Sequence, residues 1–134
     1  MQVRVKWLEN LTFVGTSGSG HGIIMDGDRE NGAGPSPMEM LLLGLAGCSS
    51  IDVVHILKKG RENVMDVEAE VSAERAETDP KVFTKIHLHF KARGDNLNET
   101  KLARAVELSA EKYCSASIML SKACNITHSW EILA

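Results

Sequence analysis

Residues 35–48, PSPMEMLLLGLAGC, decide how this chain is read. Ser36 stands where an N-cap belongs, Pro37 at the first helical position and Glu39 at the third, so a capping box with its preferred proline opens a helix. The helix runs to about Lys59 and stops at Gly60, a C-cap, with Lys58 and Lys59 suiting the negative end of the dipole. From Met38 to Leu57 it is apolar almost all round, which predicts a buried helix. Gly44, Ala46 and Gly47 leave room for another backbone to approach closely. Cys48 closes the stretch, either as a small core residue or as a thiol held in place for chemistry.

The flanks read as strands. Val3, Val5 and Trp7 alternate with Arg4 and Lys6, and LTFVG follows a turn at Glu9-Asn10. A flexible connection, GTSGSGHG, leads to a third strand at IIMD, and GDRENGAGPSP is a polar loop rich in turn residues. The glycine-rich run lacks the Lys-Ser/Thr pair and the strand–loop–helix setting of a phosphate loop. Beyond the helix, residues 67–74 alternate strictly. In 82–92, Val82, Ile86, Leu88 and Phe90 share a face, so the two segments predict a hairpin with one wet side. A second helical region opens at Asn98 or Glu99, extends to about Ala123 and breaks near Cys114. A last strand carries Ile126, His128, Trp130 and Ile132 on one face. The order βββ-α-ββ-α(α)-β predicts one α+β domain over residues 1–134.

Composition narrows the function classes. Fifteen basic and eighteen acidic residues leave a net charge of −3, which gives no footprint for nucleic acid or an anionic membrane. At 4% aromatic residues, stacking platforms for single strands are not expected either. No run approaches the roughly 18 consecutive apolar residues of a membrane span, and the N-terminus has no signal-peptide core. Three cysteines do not build a disulfide scaffold. The expected setting is the cytoplasm, where a disulfide is transient or catalytic.

Cys48, Asp52 and His55 project from nearly one face of the first helix at about 100° per residue. His55 lies about 10 Å along the axis and out of reach of the sulfur. Asp52 is within reach, but a carboxylate raises a thiol pKa. A new helix at Cys114 would place backbone N–H groups where they favour a thiolate, with Lys112 nearby. Cys124 reads as a buried filler. His87 and His89 form an H-x-H pair on one strand face, but no third ligand has suitable spacing, so no metal site is expected.

The segments PSPMEMLLLGLAGCSSIDVVHIL and AEKYCSASIML together resemble the OsmC/Ohr family of osmotically inducible and organic-hydroperoxide-resistance proteins, close to its small YhfA-like branch. The resemblance spans essentially the whole chain. It implies an OsmC-like fold with a long buried central helix and antiparallel sheets, in an intertwined homodimer with active sites at the interface. It implies a cofactor-free thiol peroxidase for stress defence, in which Cys48 is peroxidatic, Cys114 resolves it as a disulfide, and an external thiol reduces the pair. Arg29, in the loop before the helix, is the candidate cation for the thiolate. The family's glutamate directly after the proline is Met38 here. Glu39, the other candidate polar partner, lies about 180° round the helix from Cys48. The family's proline after the second cysteine is Ser115, and Ser117 matches the family serine. The alternative expectation is a catalytically weak dimer whose interface cleft binds a small apolar ligand or a partner.

Overall fold

The structure is a computed structural model describing Met1 to Ala134. The chain divides into two compact units, Met1–Leu43 and Gly44–Ala134.

In the first unit, β1 (Val3–Glu9), β2 (Thr12–Ser17) and β3 (Gly22–Asp26) form an antiparallel sheet in that order. Asn10 makes the first turn with φ 48°, a conformation asparagine tolerates. The polar loop after β3 is gathered by Asp26, which is 4% exposed. Its carboxylate accepts the Thr12 hydroxyl at 2.6 Å and the N–H groups of Asp28 and Ala33 at 2.9 and 3.1 Å. These bonds, Thr12 foremost, hold the carboxyl below its usual range. Gly34 is needed in this loop, because a Cβ there would run into the Ile24 carbonyl.

The helix α1 (Pro37–Lys59) opens on the expected capping box. The Ser36 N–H donates to Glu39 Oε1 at 2.9 Å, and the Glu39 N–H donates to Ser36 Oγ at 3.2 Å. At the other end the left-handed residue is Arg61, φ 61°, one position beyond Gly60. The Glu62 N–H bonds to the Leu57 carbonyl and the Arg61 N–H to the Lys58 carbonyl, a Schellman motif with Gly60 at the C-cap and Arg61 where glycine is usual.

Burial of α1 within one chain is confined to a single stripe, Leu45, Ser49, Val53 and Leu57, spaced by four. Outside these four positions the helix is open: Leu41, Leu43 and Ile51 are 47, 56 and 72% exposed, and a Cβ on Gly44 or Gly47 would touch nothing. An all-round apolar helix is thus only half covered, because the elements of a single chain supply one packing surface. By length and composition alone α1 could also cross a membrane, a property it shares with core helices.

The second unit holds β4 (Asn63–Arg75), β5 (Phe83–Asp95) and β6 (Asn125–Ile132) in one sheet, in the order β4-β5-β6. Ile86, Leu88, Phe90 and Ala92 face the core as the alternation requires. Val82 departs from the expectation: it lies outside the strand and is 52% exposed. A register irregularity between Glu74 and Arg75 shifts the pairing there, so Phe83 is buried instead. β6 joins β5 in parallel, unlike every other pair, because a helical crossover returns the chain to the same end of the sheet. On the wet face, His87 and His89 have all four ring nitrogens engaged, by Thr127, Ser129 and Glu131 at 2.6–2.7 Å.

The crossover begins with α2 (Glu99–Leu108), capped by Asn98, whose side chain accepts the Lys101 N–H at 3.0 Å. A π-turn (Ser109–Tyr113) follows, then an extended Cys114, then α3 (Ser115–Leu120). The end of α1 is tied to α2 by Lys101 Nζ on the Gly60 carbonyl at 2.8 Å and the Asn98 N–H on Glu62 at 2.6 Å.

Arg61→Gly is expected to stabilise the protein. Relieving a left-handed non-glycine residue gains about 1–2 kcal/mol, against about 0.5–1 kcal/mol of added chain entropy in the unfolded state. Urea denaturation should show a net gain of up to about 1.5 kcal/mol. Asn98→Ala, which removes a cap, should cost about 1 kcal/mol in the same assay.

Candidate active site

Three parts of the second unit meet around a pair of thiols. α1 contributes Cys48 and Ser49, the π-turn contributes Ser109, and the break before α3 contributes Cys114, Ser115 and Ser117.

Cys114 leaves the helical conformation with φ −77° and ψ 102°, and its sulfur becomes the N-cap of α3. It accepts the Ser117 N–H at 3.3 Å and the Ser49 hydroxyl at 3.3 Å. The residue is wholly buried. Burial pushes its thiol pKa up and outweighs both hydrogen bonds.

Cys48 is only partly buried and shifts the other way. The Ala116 N–H is the main cause holding its pKa below the usual thiol range. The Cys114 thiol and the Ser115 hydroxyl, 3.8 Å away, add to this. Desolvation and the Asp52 carboxylate oppose it. Within this unit, hydrogen-bond donors and no cation favour the Cys48 thiolate, while Cys114 stays a protonated thiol pointing a donor at it.

The expected break at Cys114 is present, but its consequence falls differently from the sequence reading. The N–H groups at the start of α3 are shared, Ser117 serving Cys114 and Ala116 serving Cys48, and burial prevails at Cys114. Lys112 lies over the Tyr113 ring, 5.6 Å from its centroid, and does not act on either thiol. Cys124 makes only a local bond to the Leu120 carbonyl at 3.4 Å. Asp52 opposes the thiolate as expected and is itself held by Ser109 Oγ at 3.1 Å. His55 lines a pocket of about 600 Å³ with Asp52, Ile56, Lys59, Leu108 and Tyr113.

Arg29 and Glu39 belong to the first unit, where the Arg29 charge helps depress the Glu39 carboxyl, chiefly held down by the Ser36 backbone bond. Ser49 escaped the sequence reading, and Ser109 entered it only as a position at helical spacing with Leu102, Ala105 and Val106; both are hydroxyls on otherwise apolar buried faces. Ala116 carried no signal, since its contribution is a backbone N–H.

The site thus sets a partly exposed cysteine with a depressed pKa beside a buried one with a raised pKa, in an α+β unit crossed by a long apolar helix. The family model of OsmC-like proteins matches residues 28–129, and the chain belongs to that family. It is 58% identical to protein YhfA of Escherichia coli (strain K12), over 100% of this chain and 99% of that protein. A hypothetical protein from Aquifex aeolicus VF5, solved by crystallography, is 36% identical with a TM-score of 0.88, covering 98% of this chain and 95% of the other. The organic hydroperoxide resistance protein OhrB of Bacillus subtilis shares the fold at 20% identity, with a TM-score of 0.65 over 98% of both chains.

Iodoacetamide should alkylate Cys48 before Cys114. The pH–rate midpoint for Cys48 should lie below that of the same thiol in the unfolded chain, and reactivity is lost as pH falls through it. Ser115→Ala removes one donor and should raise the midpoint. Cys114 should react readily only on unfolding, as peptide mass spectrometry would show.

Proposed function

We propose that this chain is a cytoplasmic, cofactor-free thiol peroxidase that reduces organic hydroperoxides in redox stress defence, acting as a single OsmC-like domain. The observation that carries this reading is the opposite tuning of two neighbouring thiols: Cys48 favours the thiolate and Cys114 retains its proton. A peroxidatic step needs the first and a resolving step uses the second. The Cys48 thiolate attacks the distal oxygen of the hydroperoxide, forming S–O as O–O breaks. Sulfur loses two electrons and becomes a sulfenic acid, and the departing alkoxide takes a proton from water to leave as the alcohol. The Cys114 thiol then attacks that sulfur, releasing water and forming a disulfide, which an external thiol reduces. Kinship with the OsmC-like family and the fold shared with a hydroperoxide resistance protein support the same reading.

The uncovered side of α1 supports a homodimer, with the helix of a second copy packed against Leu41, Leu43 and Ile51 beside Gly44 and Gly47. Sedimentation should report twice the chain mass, falling toward the monomer in Ile51→Lys. A monomeric wild type overturns this part.

The second reading, a weakly catalytic dimer binding a small apolar ligand, draws on the pocket of about 600 Å³ and on the lack of a cation at Cys48 within its unit. A Cys48 midpoint at or above ~8.5 would favour it. For the peroxidase, stopped-flow mixing of reduced protein with tert-butyl hydroperoxide should consume one thiol pair per turnover. Cys48→Ser should be inert, and Cys114→Ser should stop at a sulfenic acid that a dimedone probe captures. Equal rates in wild type and Cys48→Ser would sink the reading. Arg29→Met in the same assay measures what the loop cation contributes.

A further inference from the structure

Each cysteine of the pair is followed by a serine, Cys48-Ser49 and Cys114-Ser115, and each serine reaches the other cysteine. Ser115 Oγ lies 3.8 Å from Cys48 Sγ, and the Ser49 hydroxyl donates to Cys114 Sγ at 3.3 Å. The second contact lies in the core. Ser49 is 1% exposed and is the one polar residue on the buried stripe of α1, between Leu45 and Val53. Alanine would fill that position with no hydroxyl to satisfy, and a buried hydroxyl is costly unless it is bonded. Here the bond goes to a sulfur, a weak acceptor as a thiol and a far better one as a thiolate. Cys114 Sγ also accepts the Ser117 N–H at 3.3 Å, so donors from α1 and from α3 converge on it. In the reduced protein burial above all, and then the neighbouring Cys48, keep the proton on Cys114. Oxidation of Cys48 to a neutral group removes its charge and leaves both donors.

We propose that Ser49 is a catalytic residue of the resolving step, its hydroxyl holding the Cys114 sulfur and stabilising the thiolate as it attacks Cys48. This role rests on the peroxidase reading. Once Cys48 is a sulfenic acid, Cys114 gives up its proton and attacks as the thiolate, the nucleophilic form. The S–S bond forms as the sulfenic S–O bond breaks, and the departing hydroxide takes up a proton in place of the one Cys114 released, leaving as water. The Cys114 sulfur is oxidised and the Cys48 sulfur reduced. Ser49 keeps its own proton throughout. A hydrogen bond to the charged sulfur lowers the thiol pKa, and it tempers nucleophilicity by roughly half as much on a logarithmic scale. The gain is therefore confined to pH values below the Cys114 midpoint, where it is roughly 3–10-fold. Because the bond acts on Cys114, the first step at Cys48 is left alone.

The resolving attack can be followed without a hydroperoxide. In a Cys124→Ser background of the full chain, dithiobis(nitrobenzoate) exchanges with the Cys48 thiolate, releasing one coloured thiolate and leaving a mixed disulfide. Cys114 then attacks the Cys48 sulfur and expels the second coloured thiolate, at a rate independent of reagent concentration. Ser49→Ala should leave the first release unchanged, slow the second roughly 3–10-fold near neutral pH and raise its pH midpoint. Above both midpoints the variant should match or exceed the parent protein, which a displaced sulfur would not allow. Ser49→Thr and Ser49→Val match in shape and differ in the hydroxyl, so the first should keep the parent midpoint and the second should show the raised one. An unmoved midpoint in Ser49→Ala, equal slowing of both releases, or a parent protein that makes only the first release overturns the role of Ser49. If Ser49→Ala misfolds, the comparison of Ser49→Thr with Ser49→Val decides. Mixing the same proteins with tert-butyl hydroperoxide tests the peroxidase reading separately, and Ser49→Ala should then yield more dimedone-trapped sulfenic acid. A parent protein that completes both releases but is inert to the hydroperoxide defeats the peroxidase reading, and leaves Ser49 assigned to disulfide exchange alone.

Discussion

The second unit depends on one sulfur acting as a helix cap. Cys114 accepts the Ser117 N–H from ahead of it in the chain and the Ser49 hydroxyl from α1. The first bond requires an extended backbone at Cys114 and therefore ends the preceding π-turn. The second anchors that break to α1 at a residue next to Cys48. Once the break is set there, the N–H of Ala116, which has no partner inside the new helix, can serve Cys48 instead. The environment of the thiol with the depressed pKa is thus a by-product of how the other one is buried.

A second constraint is the composition of α1. Four buried positions, Leu45, Ser49, Val53 and Leu57, attach it to its own chain, and a fully buried leucine or valine contributes about 1.5–3 kcal/mol. Leu41, Leu43 and Ile51 are left 47, 56 and 72% exposed by their own chain. An apolar helix half exposed to water is costly, and small residues on its open side permit close approach of another surface. The element that leaves this apolar surface open is the same one that carries Cys48 and Asp52.

Local features were legible wherever two or three neighbouring residues decide the outcome. The capping box at Ser36 and Glu39 and the Asn98 cap are side-chain bonds spanning three residues. The alternation of β5 needed only a period of two, and it failed at Val82 and Phe83, where a pairing irregularity shifts the register. Gly60 drew the eye as the helix terminator, yet Arg61 takes the left-handed conformation, because the hydrogen bonds to Leu57 and Lys58 place that demand one residue later. The parallel pairing of β6 was invisible, since strand direction follows from where a crossover ends and not from the residues of the strand.

By itself, the sequence determined the order of elements, the helix that starts at Pro37 and the two cysteines worth watching, because propensity, capping and periodicity act between near neighbours. Only the tertiary structure decided which thiol is depressed and which is raised. That outcome balances burial against donors from residues about 65 positions away, as in the bond from Ser49 to Cys114. It likewise decided that Ser109 grips Asp52 across 57 positions. A hydroxyl has no preference for a carboxylate that distant until the packing of α1 against the crossover brings the two within 3.1 Å.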